Sequence, residues 1–320
     1  MSIPIVALES TVISHGLPRP HNLSLARDME QEVRSEGACP ATIAVLDGQI
    51  HIGLTDNDLE RVANLGSGNL SGIPLNDQGQ FSVISTGSPG NQDSLQGMKL
   101  SCRDLATAIT KKASGGTTVA GTMFIANQIG IKVLATGGIG GVHASGSFDI
   151  SADLTTLADT PMIVVCAGAK AFLDLQATIE YLETSSVPVV GYQTDDFPAF
   201  YSATSGLKAS LRLNSPEEIV EFARNHWSLS AQSSILVTQP PPAMTALPRK
   251  DVERNILLLE VEAREKGIKG QAVTPYFLSR LNELTQGAAL RTNLSLLINN
   301  ARLGAQISRA WNNTVRTKVA

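Results

Sequence analysis

The chain has 320 residues, 42% of them apolar and 17% charged, enough to bury a sizeable core as one large α/β domain or two smaller ones. Its 25 basic and 29 acidic residues leave a net charge of −4 without a basic block, which argues against nucleic acid or an anionic membrane surface as partner. Three well-separated cysteines, Cys39, Cys102 and Cys166, form neither a disulfide framework nor a zinc pattern, and no apolar run reaches transmembrane length. A soluble intracellular protein, cytoplasmic or organellar, is therefore expected.

In chain order, Ile3 to Leu8 reads as a buried strand ending at Glu9-Ser10-Thr11. The loop SHGLPRPHN follows, its prolines and glycine barring a regular element. Asn22 or Ser24 is expected to cap the next helix. ATIAVLDGQIHIGL predicts two strands joined at Asp47-Gly48, a hairpin turn signal, and a short helix starts after Thr55. Residues 66–97, rich in Gly, Ser, Asn and Gln apart from QFSVIST, read as an inserted flexible surface loop within a single domain spanning 1–320. KLSCRD restarts ordered structure and feeds one helix, and Gly115-Gly116-Thr117-Thr118 is expected to open another.

From Lys132 to Leu175 the chain concentrates polar chemistry. Val133 to Thr136 and Met162 to Cys166 predict strands buried on both faces, and each ends at small residues. Ligands on open α/β sheets bind beyond the carboxyl ends of strands, which places the GGIGG loop, His143 and Lys170 where a site is expected. Further strands are expected at VPVVGYQT and SSILVTQ, and helices at AFLDLQATIEYLETSS and SPEEIVEFARNHWSL, followed by a helical tail. The pattern predicts a three-layer α/β/α fold with a largely buried sheet and a helical C-terminal part.

Each polar candidate has two readings. Lys170, read as the start of a helix, is either a surface lysine or an amine whose charge the helix dipole disfavours and which can attack a carbonyl to form an imine. Glu9 at a strand end is a desolvated acid or an acceptor for loop amides. Asp149, Ser151 and Asp153 cap a helix or hold a hard cation through water. The glycine tract at 137, 138, 140 and 141 lacks the dinucleotide spacing; it offers amides to an anion or makes a tight turn. Lys99 and Arg103 are solvated or grip phosphate. Asn293, Asn299 and Asn300 are poor helix formers, and any of them that is buried needs a partner.

ALESTVISHGLPRPHN, PATIAVLDG, GGTTVAGTM, TGGIGGVH, FDISADL, VVCAGAKAFLDL, VPVVGYQTDDFPAFY and NNARLGAQI, in collinear order, together resemble the pseudouridine-5'-phosphate glycosidases, a family that includes the indigoidine synthase A-like proteins. The resemblance implies a carbon–oxygen hydro-lyase that interconverts pseudouridine 5'-phosphate and water with ribose 5-phosphate and uracil. By similarity Glu9 is the proton donor and Lys170 the imine-forming nucleophile. Lys99, Val119, Thr136, His143, Ser151, Ala152, Asp153 and Asn293 contact substrate, and Asp149 holds a divalent metal, usually Mn2+. The family is homotrimeric, and some members are fused to a sugar kinase of the ribokinase type, so this sequence could come from a longer parent chain. Ala144 stands where the family commonly has arginine, which implies a looser phosphate grip or an altered lid closure; Cys102 stands where a second arginine is usual, which reduces the local positive charge; and Thr238-Gln239-Pro240 replaces its ANP. Two other classes fit the same residues: an imine-forming lyase on another phosphosugar, and a non-catalytic phosphosugar-binding module.

Overall fold

The structure, a computed structural model, describes residues 3–66, 97–143, 149–268 and 273–317. The N-terminal half runs β1 (Ile5–Leu8), a π-helical turn (Val12–Gly16), α1 (His21–Ser35), β2 (Cys39–Leu46), β3 (Gln49–Ile52), α2 (Asp56–Leu65), β4 (Met98–Leu100), α3 (Cys102–Thr110), β5 (Gly115–Thr117) and α4 (Val119–Gln128). It continues with β6 (Val133–Ala135), α5 (Ala152–Asp159), β7 (Ile163–Cys166), α6 (Leu175–Thr184), β8 (Val189–Tyr192), β9 (Leu211–Leu213), α7 (Pro216–Ser228) and β10 (Ile235–Thr238). Three helices close the chain: α8 (Arg249–Glu265), α9 (Val273–Leu284) and α10 (Ala288–Thr317).

The strands form one sheet in the order β4-β5-β2-β1-β6-β7-β10-β8-β9, with β3 added to β2 as a hairpin. From β2 to β9 every neighbouring pair is parallel, whereas β5 and β3 run antiparallel to β2. The strands β6, β7 and β10 are buried along their whole length, as parallel strands covered on both faces must be. One covering layer is led by α10, which lies across β1, β6 and β7 and packs on α1 and α7; the other includes α4, seated on β1 and β2 between α3 and α5. This is the expected three-layer α/β/α architecture. Among the described residues no helix is long and apolar enough to cross a membrane.

The β2–β3 turn forms as expected: Asp47 and Gly48 both have positive φ, 52° and 76°, as a two-residue type I′ hairpin requires. Other elements differ from expectation. Gly115 and Gly116 belong to strand β5, not to a helix start, because two chains crowd them: a Cβ on Gly115 would lie 2.4 Å from the Met98 carbonyl oxygen, and one on Gly116 2.3 Å from Ser14 Oγ. Asn22 does not cap α1. It lies buried inside the first turn, where its amide donates to the carbonyls of Ile13 and Ala63 and ties the π-helical turn to α2. Strand β9 went unread because Leu211–Leu213 carries too little apolar pattern, and it forms by pairing with β8.

The stretch expected to be a flexible insertion, including QFSVIST, lies outside the described residues between 66 and 97. Its two anchors meet, for the Gly97 N–H donates to the Leu65 carbonyl at 3.2 Å.

Candidate active site

The strand that follows β1 in the chain lies on one side of it and β6 on the other, so a crevice opens where their carboxyl ends diverge. Glu9 follows β1, Thr136 and the glycine loop follow β6, and Lys170 lies just beyond β7. A cavity of about 500 Å³ opens there. Its polar wall includes Glu9, His15, Lys99, Asp104, Lys170 and Asn293, and its apolar wall includes Val12, Met98, Phe200, Leu278 and Leu297.

Glu9 is 8% exposed, and its Oε1 accepts a 2.5 Å hydrogen bond from the hydroxyl of Thr136, itself fully buried. Burial pushes the Glu9 carboxyl above the ordinary carboxylate range, against the opposing pull of Lys170, of the Thr136 hydrogen bond and of Lys99. Lys99, on edge strand β4, is lowered from its ordinary value by burial and then by the like charge of Lys170, while Asp153 and Glu9 oppose the shift. Lys99, Lys170 and the buried Glu9 thus share a poorly hydrated space, with Asp104 also in its lining. That arrangement attracts an anion and keeps a proton available beside an amine.

Lys170 is not at a helix start. Helix α6 begins at Leu175 behind its cap Asp174, beyond the reach of a helix-end dipole that fades within one turn. The lysine is held instead in a turn: its N–H donates to the Ile139 carbonyl at 3.1 Å, and its own carbonyl accepts from Leu173 N at 3.0 Å. Gly168, at φ 89°, permits this turn, since a Cβ there would strike the Pro198 carbonyl oxygen at 2.3 Å.

The remaining sequence candidates fall into a supporting ring. Both Asp153 oxygens accept backbone N–H groups, from Ala120 at 2.9 Å and Gly140 at 2.8 Å, so this buried carboxylate joins the start of α4 to the glycine loop. Ser151 caps α5 by accepting from Asp153 N, as expected, with Ala152 as the first helical residue. Val119 opens α4 and is buried. Asn300, rather than Asn293, supports the loop: its amide donates to the Thr136 carbonyl at 2.8 Å and its oxygen accepts from Gln239 at 3.2 Å. His143 and Asp149 are absent from the cavity's described lining. His143 is half-buried with its ring 6.5 Å from that of Phe172, and its N–H donates to the carbonyl of Asp149, an exposed residue. Ala144 lies outside the described residues. Cys102 Sγ lies 3.3 Å from the Ala120 carbonyl oxygen.

Among the described residues no three His, Cys, Asp or Glu side chains converge as a metal cage. Asp149 offers one carboxylate, which fits a hard cation that keeps most of its waters.

Sequence reading missed His15, Thr11 and Asp104 on one side of the cavity and Phe200, Thr274, Pro275 and Leu278 on the other. The signal that could have found His15 is its position, a histidine in the segment just after a strand-end acid. The residues of α9 carried no local signal, because only the packing of the helical tail brings them to the sheet.

A family model described as indigoidine synthase A like protein matches residues 1–77 and 90–310, leaving out 78–89 within the stretch read as an insertion. A pseudouridine-5'-phosphate glycosidase of Solibacter usitatus is 49% identical over 307 residues, covering 95% of this chain and 93% of that protein. One of Petrotoga mobilis is 43% identical, covering 97% and 92%. The crystal structure of an indigoidine synthase A-like protein from Thermotoga maritima superposes with a TM-score of 0.81 at 31% identity, covering 96% of this chain and 92% of that one. The prealnumycin C-glycosynthase AlnA, solved in complex with ribulose 5-phosphate, gives 0.81 at 34% identity, covering 98% and 93%. Over nearly its whole length, then, this chain belongs to the indigoidine synthase A-like family.

Proposed function

We propose that this chain is a pseudouridine-5'-phosphate glycosidase, an enzyme that cleaves a carbon–carbon glycosidic bond reversibly. The observation that carries the reading is the buried Glu9, its carboxyl raised by burial, in one cavity with Lys170 and Lys99, in a chain 49% identical to a protein of that activity.

The difficulty of the reaction is that C5 of uracil is a poor leaving carbon while the sugar ring is closed. Glu9 donates its proton to the ring oxygen as the bond from that oxygen to C1' breaks, and the Lys170 nitrogen bonds to C1'. The adduct is linear. C5 then takes a proton and the C1'–C5 bond breaks, while the lysine nitrogen's electron pair closes a C=N bond. Water adds to the imine carbon, releasing ribose 5-phosphate and the free lysine. Lys99 and Asn293 face the same space and supply a cation and an amide for the phosphate and hydroxyls. Asp153 and Thr136 act from behind by fixing the glycine loop and Glu9. Asp149 would hold a divalent cation, which would supply positive charge for the phosphate. The family's homotrimer extends to this chain as part of the same proposal.

The test is intact-protein mass spectrometry after incubation with ribose 5-phosphate, Mn2+ and borohydride. The wild type is expected to gain one reduced ribose phosphate, and Lys170→Ala none. An adduct of equal yield on the lysine variant would remove Lys170 from the chemistry. The likeness to a C-glycosynthase solved with ribulose 5-phosphate supports a second reading, an imine-forming enzyme that takes another phosphosugar. Comparing uracil release with turnover of other pentose phosphates separates the two.

A further inference from the structure

The acid and the two lysines of the cavity sit on different segments, and one side chain bridges two of them. His15 is carried by the π-helical turn that begins three residues after Glu9. Its Nε2 is 3.0 Å from the Gly97 carbonyl oxygen, and its Nδ1 is 2.7 Å from Ser14 Oγ. A carbonyl can only accept, so Nε2 carries the proton; in the neutral ring Nδ1 is an acceptor, and it shares the single Ser14 hydroxyl proton with the Ser10 carbonyl, 3.1 Å from the same Oγ. Burial and the nearby Lys99 both favour this neutral form, against the pull of the Gly97 carbonyl. The ring therefore ties the acid's turn to the residue before β4 through the bond from Nε2 to the Gly97 carbonyl, with Ser14 seated against its other nitrogen.

Strand β4 needs such support. It has three residues, lies at the end of the sheet order and is paired only with β5 among the described strands. Lys99 stands opposite Gly116 in that ladder, and Ser14 Oγ packs so close to Gly116 that a Cβ there would lie 2.3 Å away. The Ser14–His15 pair thus grips β5 at the level of Lys99 and, at Gly97, the segment that leads into β4. We propose that His15 is a positioning residue for Lys99, a strut that sets where the lysine's strand lies relative to the turn of Glu9.

The kinetic consequence rests on the proposed function, in which Lys99 meets the substrate. The test is a double-mutant cycle in the full chain, with His15→Leu, which keeps bulk without hydrogen bonds, and His15→Gln, whose amide N–H can reach the Gly97 carbonyl. For pseudouridine 5'-phosphate, His15→Leu is expected to lower kcat/KM about tenfold, mainly through KM, and His15→Gln less than about threefold. In a Lys99→Met background the same His15→Leu change is expected to cost less than about twofold, because the strut then has nothing to position. Equal losses in both backgrounds, or equal losses for Leu and Gln, overturn the proposal. A second reading needs no substrate: the titration of Lys99 followed by NMR of 13C-methylated lysines. His15→Leu is expected to move Lys99 toward the value of a free lysine and His15→Gln to leave it in place; an unmoved Lys99 in the Leu variant overturns the strut. If the wild type fails to turn over pseudouridine 5'-phosphate while Lys99 responds as expected, the functional reading falls and the strut stands.

Discussion

Glu9 is a carboxyl whose useful form is the protonated one, and the fold supplies that form by burial. Its folded pKa lies above the ordinary 4.5, so kcat/KM is expected to fall as pH rises through the shifted value. Glu9→Gln is expected to erase that limb and to lower kcat by about 10²- to 10⁴-fold, measured as a pH–rate profile of uracil release. Stability carries the same signature. Between the unfolded and the folded pKa the native state binds more proton than the unfolded chain, so wild-type stability falls as pH rises across that window. The Glu9→Gln variant is expected to gain melting temperature relative to wild type above that window, and a gap independent of pH would contradict the assignment. Glu9 and Lys170 were legible in the sequence because polar groups at the ends of buried strands stand out. The Thr136 hydroxyl was not legible as the acid's partner: it reaches Glu9 across 127 positions of sequence, through the adjacency of β1 and β6.

Elements with local signals were read well and those made by tertiary contact were not. The Asp47-Gly48 hairpin, the helix behind Thr55 and the helix of SPEEIVEFARNHWSL, α7, follow from a few neighbouring residues. The two glycines of β5 look like a loop because their reason for being small is the close passage of Ser14 and Met98. Lys170 was assigned to a helix whose first turn is instead occupied by the turn Ala171–Asp174, so its setting owes more to the glycine loop than to α6. Helix α10 shows how a distant element enters the site, with Asn300 holding the Thr136 carbonyl from one side and Gln239 from the other. Asn300→Ala is expected to leave a buried carbonyl and the Gln239 amide without this partner. It should cost about 2–3 kcal/mol in urea unfolding, and Asn300→Asp, which cannot donate to the Thr136 carbonyl when ionised, at least as much.

At the scale of the whole molecule, the alternation of strands and helices announced the three layers but not the order of strands. Strand β10, the last strand in the chain, enters between β7 and β8 rather than at an edge. No pattern within SSILVTQ distinguishes an inner strand placed there from one added at an edge. The hydrogen bond from Gly97 to Leu65 has a consequence of a different kind. A chain that leaves and rejoins a fold at one point contributes little to closing it, and loop-closure entropy rises by only about 0.6 kcal/mol per doubling of length. Replacing residues 67–96 with a short Gly-Ser bridge is therefore expected to leave the melting temperature no lower than that of wild type in calorimetry, whatever happens to kcat. A clear drop would mean that the stretch packs on the body of the protein. The junction is also a natural splice point: a guest domain with neighbouring termini, inserted between Gly66 and Gly97, would join the fold beside the cavity that Gly97 lines without interrupting the sheet.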